Sequence, residues 1–155
     1  PNDKMKSLSE CLRILSQTSG GNGNLLLSVG PMMDGRIEAR QVARLKEIGA
    51  WLQKNGTAVY NTLGGPYLPG KDFATTRRGN KVFVHIINTD TGSITLKNIP
   101  GLKINKAYVL GGKPIEVVNS DASFTLELPA DRLDKLEYIV VLEMNGNTEN
   151  VKIEE

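Results

Sequence analysis

Apolar residues recur in three patterns along this chain, and each marks a different kind of element. Near the N-terminus Leu8, Leu12 and Leu15 fall at helical spacing, and Ser7-Leu8-Ser9-Glu10, with serine three residues ahead of glutamate, has the form of a capping box. A helix over about residues 7–18 is predicted, stopped by Gly20-Gly21. Leu25-Leu26-Leu27-Ser28-Val29 is a nearly continuous apolar run, too short for a helix and bounded by glycine, which predicts a strand buried on both faces. Gly30-Pro31 ends it, and Asp34-Gly35 makes a turn. Val42, Leu45, Ile48 and Leu52 then return to helical spacing until Asn55-Gly56.

The third pattern begins near Lys81. Short β-rich runs cover Val82 to Ile87, Ser93 to Leu96, Ala107 to Leu110, Ile115 to Val118, Ser123 to Leu128 and Tyr138 to Leu142, with Asp90-Thr91-Gly92, Gly111-Gly112 and Asn119-Ser120-Asp121 as turns between them. Strands at this spacing without intervening helices predict an antiparallel sandwich. Phe124, Leu126 and Leu128 alternate with Thr125 and Glu127, so that strand is expected to have one wet face.

Helix, all-apolar strand and helix are the unit of a parallel α/β sheet. One such strand cannot satisfy its own backbone, and nothing else in the first sixty residues offers it a neighbour. The first part is therefore expected to be cut from a larger α/β domain and to lack independent stability. Gly64-Gly65-Pro66 through Pro69-Gly70 mark a boundary, which gives a division into 1–62, a connecting segment 63–80 and a β-rich part 81–155. Pro1 in place of methionine adds the expectation that the original N-terminus, with any signal peptide, lies upstream.

Composition narrows the function classes. Of the 155 residues 39% are apolar and 23% charged, as in ordinary globular proteins. The 19 basic and 17 acidic residues are interspersed, giving a net charge of +2 and no basic stripe, so a nucleic-acid partner is not expected. Arg77-Arg78, the one adjacent basic pair, reads as a solvated turn. No apolar run approaches the roughly 20 residues of a membrane span. Cys11, the single cysteine, lies on the apolar side of the first helix and reads as a small buried hydrophobe.

The segment from Asn24 to Ile37, Asn-Leu-Leu-Leu-Ser-Val-Gly-Pro-Met-Met-Asp-Gly-Arg-Ile, closely resembles the last barrel strand and following loop of glycoside hydrolase family 29, the α-L-fucosidases. Arg44 to Leu52, then Asn55-Gly56 and Val59-Tyr60, resemble that family's next helix and the chain leading into its C-terminal β-sandwich. Thr62 through Gly65-Pro66 is similar to the branch that cleaves internal or branched fucose linkages. The resemblance covers roughly residues 20–80. It implies an α+β fragment: the last helix-strand-helix of a (β/α)8-type barrel followed by an antiparallel β-sandwich. It also implies a parent that hydrolyses α-linked L-fucose from glycans with retention, without metal or cofactor, in a secreted, periplasmic or lysosomal setting. Ser28, Thr57 and Asn61 depart from the family, which usually has Asn, Glu and Gly there.

Retaining glycosidases need two carboxyl groups about 5 Å apart. The resemblance puts both the aspartate nucleophile and the glutamate acid/base upstream of Pro1, so no catalytic residue is expected in this chain, which is expected to be inactive alone and to need the missing barrel portion as its partner. Ser28, Met32, Met33 and Asp34 are the candidates for a pocket rim. Asp34 has two readings, a turn residue bonding nearby amides or a rim carboxylate at the strand's C-terminal end. Met32 and Met33 either pack or lend apolar surface to a deoxysugar methyl. His85 lacks a second histidine or cysteine for a metal site and reads as structural; Trp51 and Tyr60 read as packing residues. The sandwich itself has two further readings, a sugar-binding module or a structural brace.

Overall fold

The computed structural model describes residues 4–87, 90–129 and 136–153. Helix α1 (Leu8–Gly20) starts as its capping box dictates: the Glu10 amide donates to Ser7 Oγ at 3.2 Å while the Ser7 amide donates to Glu10 Oε2 at 2.7 Å. Helix α2 (Ala39–Asn55) runs into a 3-10 turn at Gly56–Ala58. The strands are β1 (Leu63–Gly64), β2 (Phe73–Arg78), β3 (Lys81–Ile86), β4 (Ser93–Lys97), β5 (Ile104–Val109), β6 (Val117–Asn119), β7 (Ser123–Glu127) and β8 (Tyr138–Met144).

They form two antiparallel sheets, one ordered β1-β2-β3-β8-β5 and one ordered β4-β7-β6. The alternation along β3 explains how these sheets and the helices stack. Val82, Val84 and Ile86 join one apolar cluster with Ile94 and Leu96 of β4 and Phe124 and Leu126 of β7, so the two sheets share a core. Phe83 points the other way, into a second cluster with Leu12 of α1, Trp51 of α2 and Ile139 and Val141 of β8. Strands β3 and β8 are thus covered on both faces, each fully buried Val or Ile contributing about 1.5–3 kcal/mol. On the smaller sheet Thr95 and Thr125 pair their hydroxyls at 2.8 Å on the exposed face, the wet face that the alternation predicts.

Several expectations are corrected. Leu25–Val29 forms no strand and pairs with nothing among the described residues; Leu25, Leu26 and Leu27 are 36%, 91% and 39% exposed. An apolar run acquires a ladder only where another strand offers its edge, and β1 to β8 pair among themselves. The 63–80 stretch, marked as a connection by its glycines and prolines, holds β1 and β2, and β2 pairs with β3 along its length. Gly64 is required there, since a Cβ would lie 2.5 Å from both the Asn22 amide nitrogen and the Gly20 carbonyl oxygen. Arg77 is no solvated turn residue: it is 7% exposed on β2, and its Nη1 donates to the carbonyls of Thr148 and Val151. Leu12 of α1 is fully buried, in one cluster with Phe83, Ile139 and Val141 of the larger sheet.

Candidate functional site

The loop after the Leu25–Val29 run is closed by its own backbone. The Met32 amide donates to the Arg36 carbonyl at 2.7 Å, the Gly35 amide donates to the Met32 carbonyl at 2.9 Å, and Pro31 bridges to Ile37. Gly35 takes φ +81°, a left-handed value that favours glycine. Gln41, in the first turn of α2, ties the loop's start to the helix by accepting from the Gly30 amide at 3.2 Å.

Between this loop and the helices lies an open groove of about 790 Å³. Leu27, Ser28, Met32 and Met33 line one wall, and Met33 is fully exposed. Arg40, Gln41, Arg44 and Leu45 of α2 line the other, with Cys11 of α1 and Lys4 and Lys6 at one end. Three of the four rim candidates, Ser28, Met32 and Met33, are therefore together on the groove. Asp34 is not on its lining. Its Oδ1 accepts from the Arg36 backbone amide at 3.1 Å, and its Oδ2 accepts from Arg36 Nε at 2.8 Å.

These partners settle Asp34's electrostatics. The Arg36 side chain, helped by the Arg36 amide, holds the carboxyl below the usual carboxylate range. Glu38, which does line the groove, is held low as well by its hydrogen bond from Arg40. A glycosidase acid needs its proton retained near neutral pH by burial or by a neighbouring carboxylate. Asp34, exposed, and Glu38, half-buried, are in the opposite condition, each paired to an arginine. The groove offers apolar surface, hydroxyl and cations. The α2 wall, where Arg40 and Arg44 pair with Glu38 and Glu47, was missed in the sequence, although the two arginines stand at the four-residue spacing that puts them on one helix face.

The remaining candidates fall elsewhere. Trp51 is buried between α2 and the larger sheet, as a packing residue should be. Tyr60 is 56% exposed, beside a smaller polar cavity lined by Asn22, Asn24 and Asn61, with one edge of its ring close to Gly56, so it is not a core residue among the described residues. His85 is fully buried in the larger sheet.

Residues 1–57 match the family model described as Alpha-L-fucosidase. That stretch carries the pattern of the α-L-fucosidase family. An α-L-fucosidase of Branchiostoma floridae is 28% identical over 149 residues, 90% of this chain and 33% of that protein. Among solved structures, α-L-fucosidase isoenzyme 1 from Paenibacillus thiaminolyticus superposes with a TM-score of 0.76 at 27% identity, covering 90% of this chain and 35% of its own. The Thermotoga maritima α-fucosidase in complex with a mechanism based inhibitor gives 0.76 at 26% identity, covering 92% and 36%. The chain thus spans about a third of the length of the relatives it matches, and it corresponds to their C-terminal part.

Proposed function

We propose that this chain is the C-terminal portion of a retaining α-L-fucosidase that removes α-linked L-fucose from glycans, and that the chain alone does not hydrolyse them. Residues 1–62 are read as the end of the catalytic barrel, and the two antiparallel sheets as the C-terminal sandwich, its first strands recruited from the 63–80 connection. The observation that carries this reading is the Leu25–Val29 segment. It is as apolar as a core strand, lies in the part matched by the fucosidase family model, and leaves its three leucines exposed, with Leu27, Ser28 and Val29 lining an open groove. A run of that composition is stable in water only when neighbouring strands cover it, and the relatives have about twice this chain's length in addition.

In the assembled enzyme Ser28, Met32 and Met33 would form part of the pocket rim, the methionines giving apolar surface to the deoxysugar methyl, while the nucleophile and acid/base come from the upstream barrel. The pairing of Asp34 and Glu38 with arginines supports that division, since neither is prepared to donate a proton. Bracing is the role assigned to the sandwich. Phe83 and Phe124 are buried and Tyr108 and Tyr138 half-buried, which leaves no exposed aromatic platform for a sugar among these four.

The test is release of nitrophenol from an aryl α-L-fucoside by the purified chain beside a longer chain that restores the upstream barrel. The longer chain is expected to turn over and this one to stay at background. Turnover by the 155-residue chain that follows its purification and disappears in Asp34→Ala would overturn the proposal.

A further inference from the structure

Three polar side chains from distant parts of the sequence meet in the second apolar cluster: Ser16 of α1, His85 of β3 and Glu137 just ahead of β8. Ser16 and His85 are fully buried and Glu137 is 6% exposed. Serine, histidine and a carboxylate are the residue types of a nucleophilic triad, but a triad needs nucleophile and carboxylate on opposite ring nitrogens. Here Ser16 Oγ and Glu137 Oε1 both approach Nδ1, at 3.0 and 3.1 Å, and Ser16 is closed to any substrate.

Counting hydrogens decides what the cluster is. Thr76 Oγ1 gives its one hydrogen to the Ala58 carbonyl at 2.6 Å. At 3.1 Å from His85 Nε2 it can therefore only accept, so Nε2 carries a proton. Ser16 gives its hydroxyl hydrogen to Glu137 Oε1. Nδ1 then meets two sets of lone pairs, and its contacts are attractive only if Nδ1 also carries a proton.

We propose that His85 is held in the core as an imidazolium, protonated on both ring nitrogens and paired to the Glu137 carboxylate, and that this buried pair is the latch fixing α1 to the larger sheet. Among the described residues Glu137 is the charged group in ion-pair contact with the ring. The ring meets Ser16 from α1, Thr76 from β2 and, as cross-strand neighbour on β8, Ile139, while Trp51 of α2 reaches the Glu137 carbonyl. The latch joins α1, inside the stretch matched by the fucosidase family model, to strands outside it, and it does not depend on the fucosidase reading. Buried ion pairs set register and orientation more than they add net stability, and here the fixed quantity is the seat of α1.

His85 is the chain's single histidine, so the test needs no assignment by mutation. The full chain, labelled with 15N-histidine, is measured by proton-nitrogen correlation at neutral pH. Both ring nitrogens are expected at protonated shifts with directly attached protons; one nitrogen at the unprotonated position overturns the proposal, and this measurement stands even if no variant folds. In Glu137→Gln the ring is expected to keep a single N–H, and α1 amides to exchange at least about tenfold faster while β4–β7 amides hardly change. Ser16→Ala, which leaves the carboxylate in place, is expected to retain both ring protons. Unchanged α1 exchange in folded Glu137→Gln would reject the latch.

Discussion

Trp51 on α2 donates its indole N–H to the backbone carbonyl of Glu137, 3.3 Å away. The same residue receives the Ser16 hydroxyl and the His85 ring on its side chain, so both helices and the larger sheet are referred to one point. Trp51 sits in the second cluster with Leu12, Phe83, Ile139 and Val141, which means that its ring excludes water from the polar group beneath it. In that dry setting an unpaired carbonyl is costly.

Trp51→Phe keeps an aromatic ring but leaves the Glu137 carbonyl without this donor and removes part of the packing. It is expected to lower stability by about 1–3 kcal/mol. Urea denaturation of the purified chain measures this, and a loss well under that range would show that the carbonyl finds another donor.

Two leucines, Leu12 and Leu26, should respond in opposite ways. Leu12 is fully buried, and Leu12→Ala should cost about 2–5 kcal/mol by removing core contacts and leaving a cavity. Leu26 is 91% exposed, and Leu26→Ala should change stability by no more than about 0.5 kcal/mol in this chain. In a longer chain that restores the barrel, Leu26→Ala is expected to join the costly class, because the proposed neighbours then cover it. Thermal melts of the variants beside their parents compare these outcomes.

The capping box of α1 has a stability contribution whose pH dependence has a definite sign. Ser7→Ala should destabilise by about 1 kcal/mol at neutral pH. Bonds from the Ser7 amide and hydroxyl hold the Glu10 carboxyl below its ordinary value of 4.5. A depressed carboxyl contributes its stabilisation above that ordinary value and loses it as pH falls through the lower folded one. The stability difference between the parent chain and Glu10→Gln should therefore be present at neutral pH and shrink on acidification below 4.5, as read from denaturation curves across that window.

Two glycines test close packing against open space. Gly64→Ala would put a methyl group 2.5 Å from two backbone atoms near the end of α1, where nothing can swing aside, and should cost about 1–3 kcal/mol. Gly49, inside α2, has no atom within 4 Å of an added Cβ, and Gly49→Ala should gain about 0.5–1 kcal/mol from helix propensity. Equal effects from the two substitutions, measured by urea denaturation, would contradict the placement of α1 against β1.

The local elements were legible in the sequence because their signals are local. Ser7 and Glu10 announce a helix start by bonding each other's backbone, Val42 to Leu52 mark one face of α2, and the alternation in Ser123 to Leu128 places Phe124 and Leu126 inward. The family was also legible, because Asn24 to Ile37 is a long ordered motif. Pairing was not. Leu25–Val29 has the composition of a strand, yet a ladder needs a second edge, and none of the described strands supplies one. Phe73–Arg78 looks too polar and too close to glycines and prolines for a core strand, yet pairing with β3 and the partners waiting for Thr75, Thr76 and Arg77 make it one. The tertiary structure alone decided that Ser16, His85 and Glu137 meet, since Ser16 lies 69 residues from His85 and 121 from Glu137, separations that leave no periodic trace. The residues of each segment determine what it can bury or bond; which buried polar group finds which partner is set by the faces that the assembled sheets and helices turn toward one another.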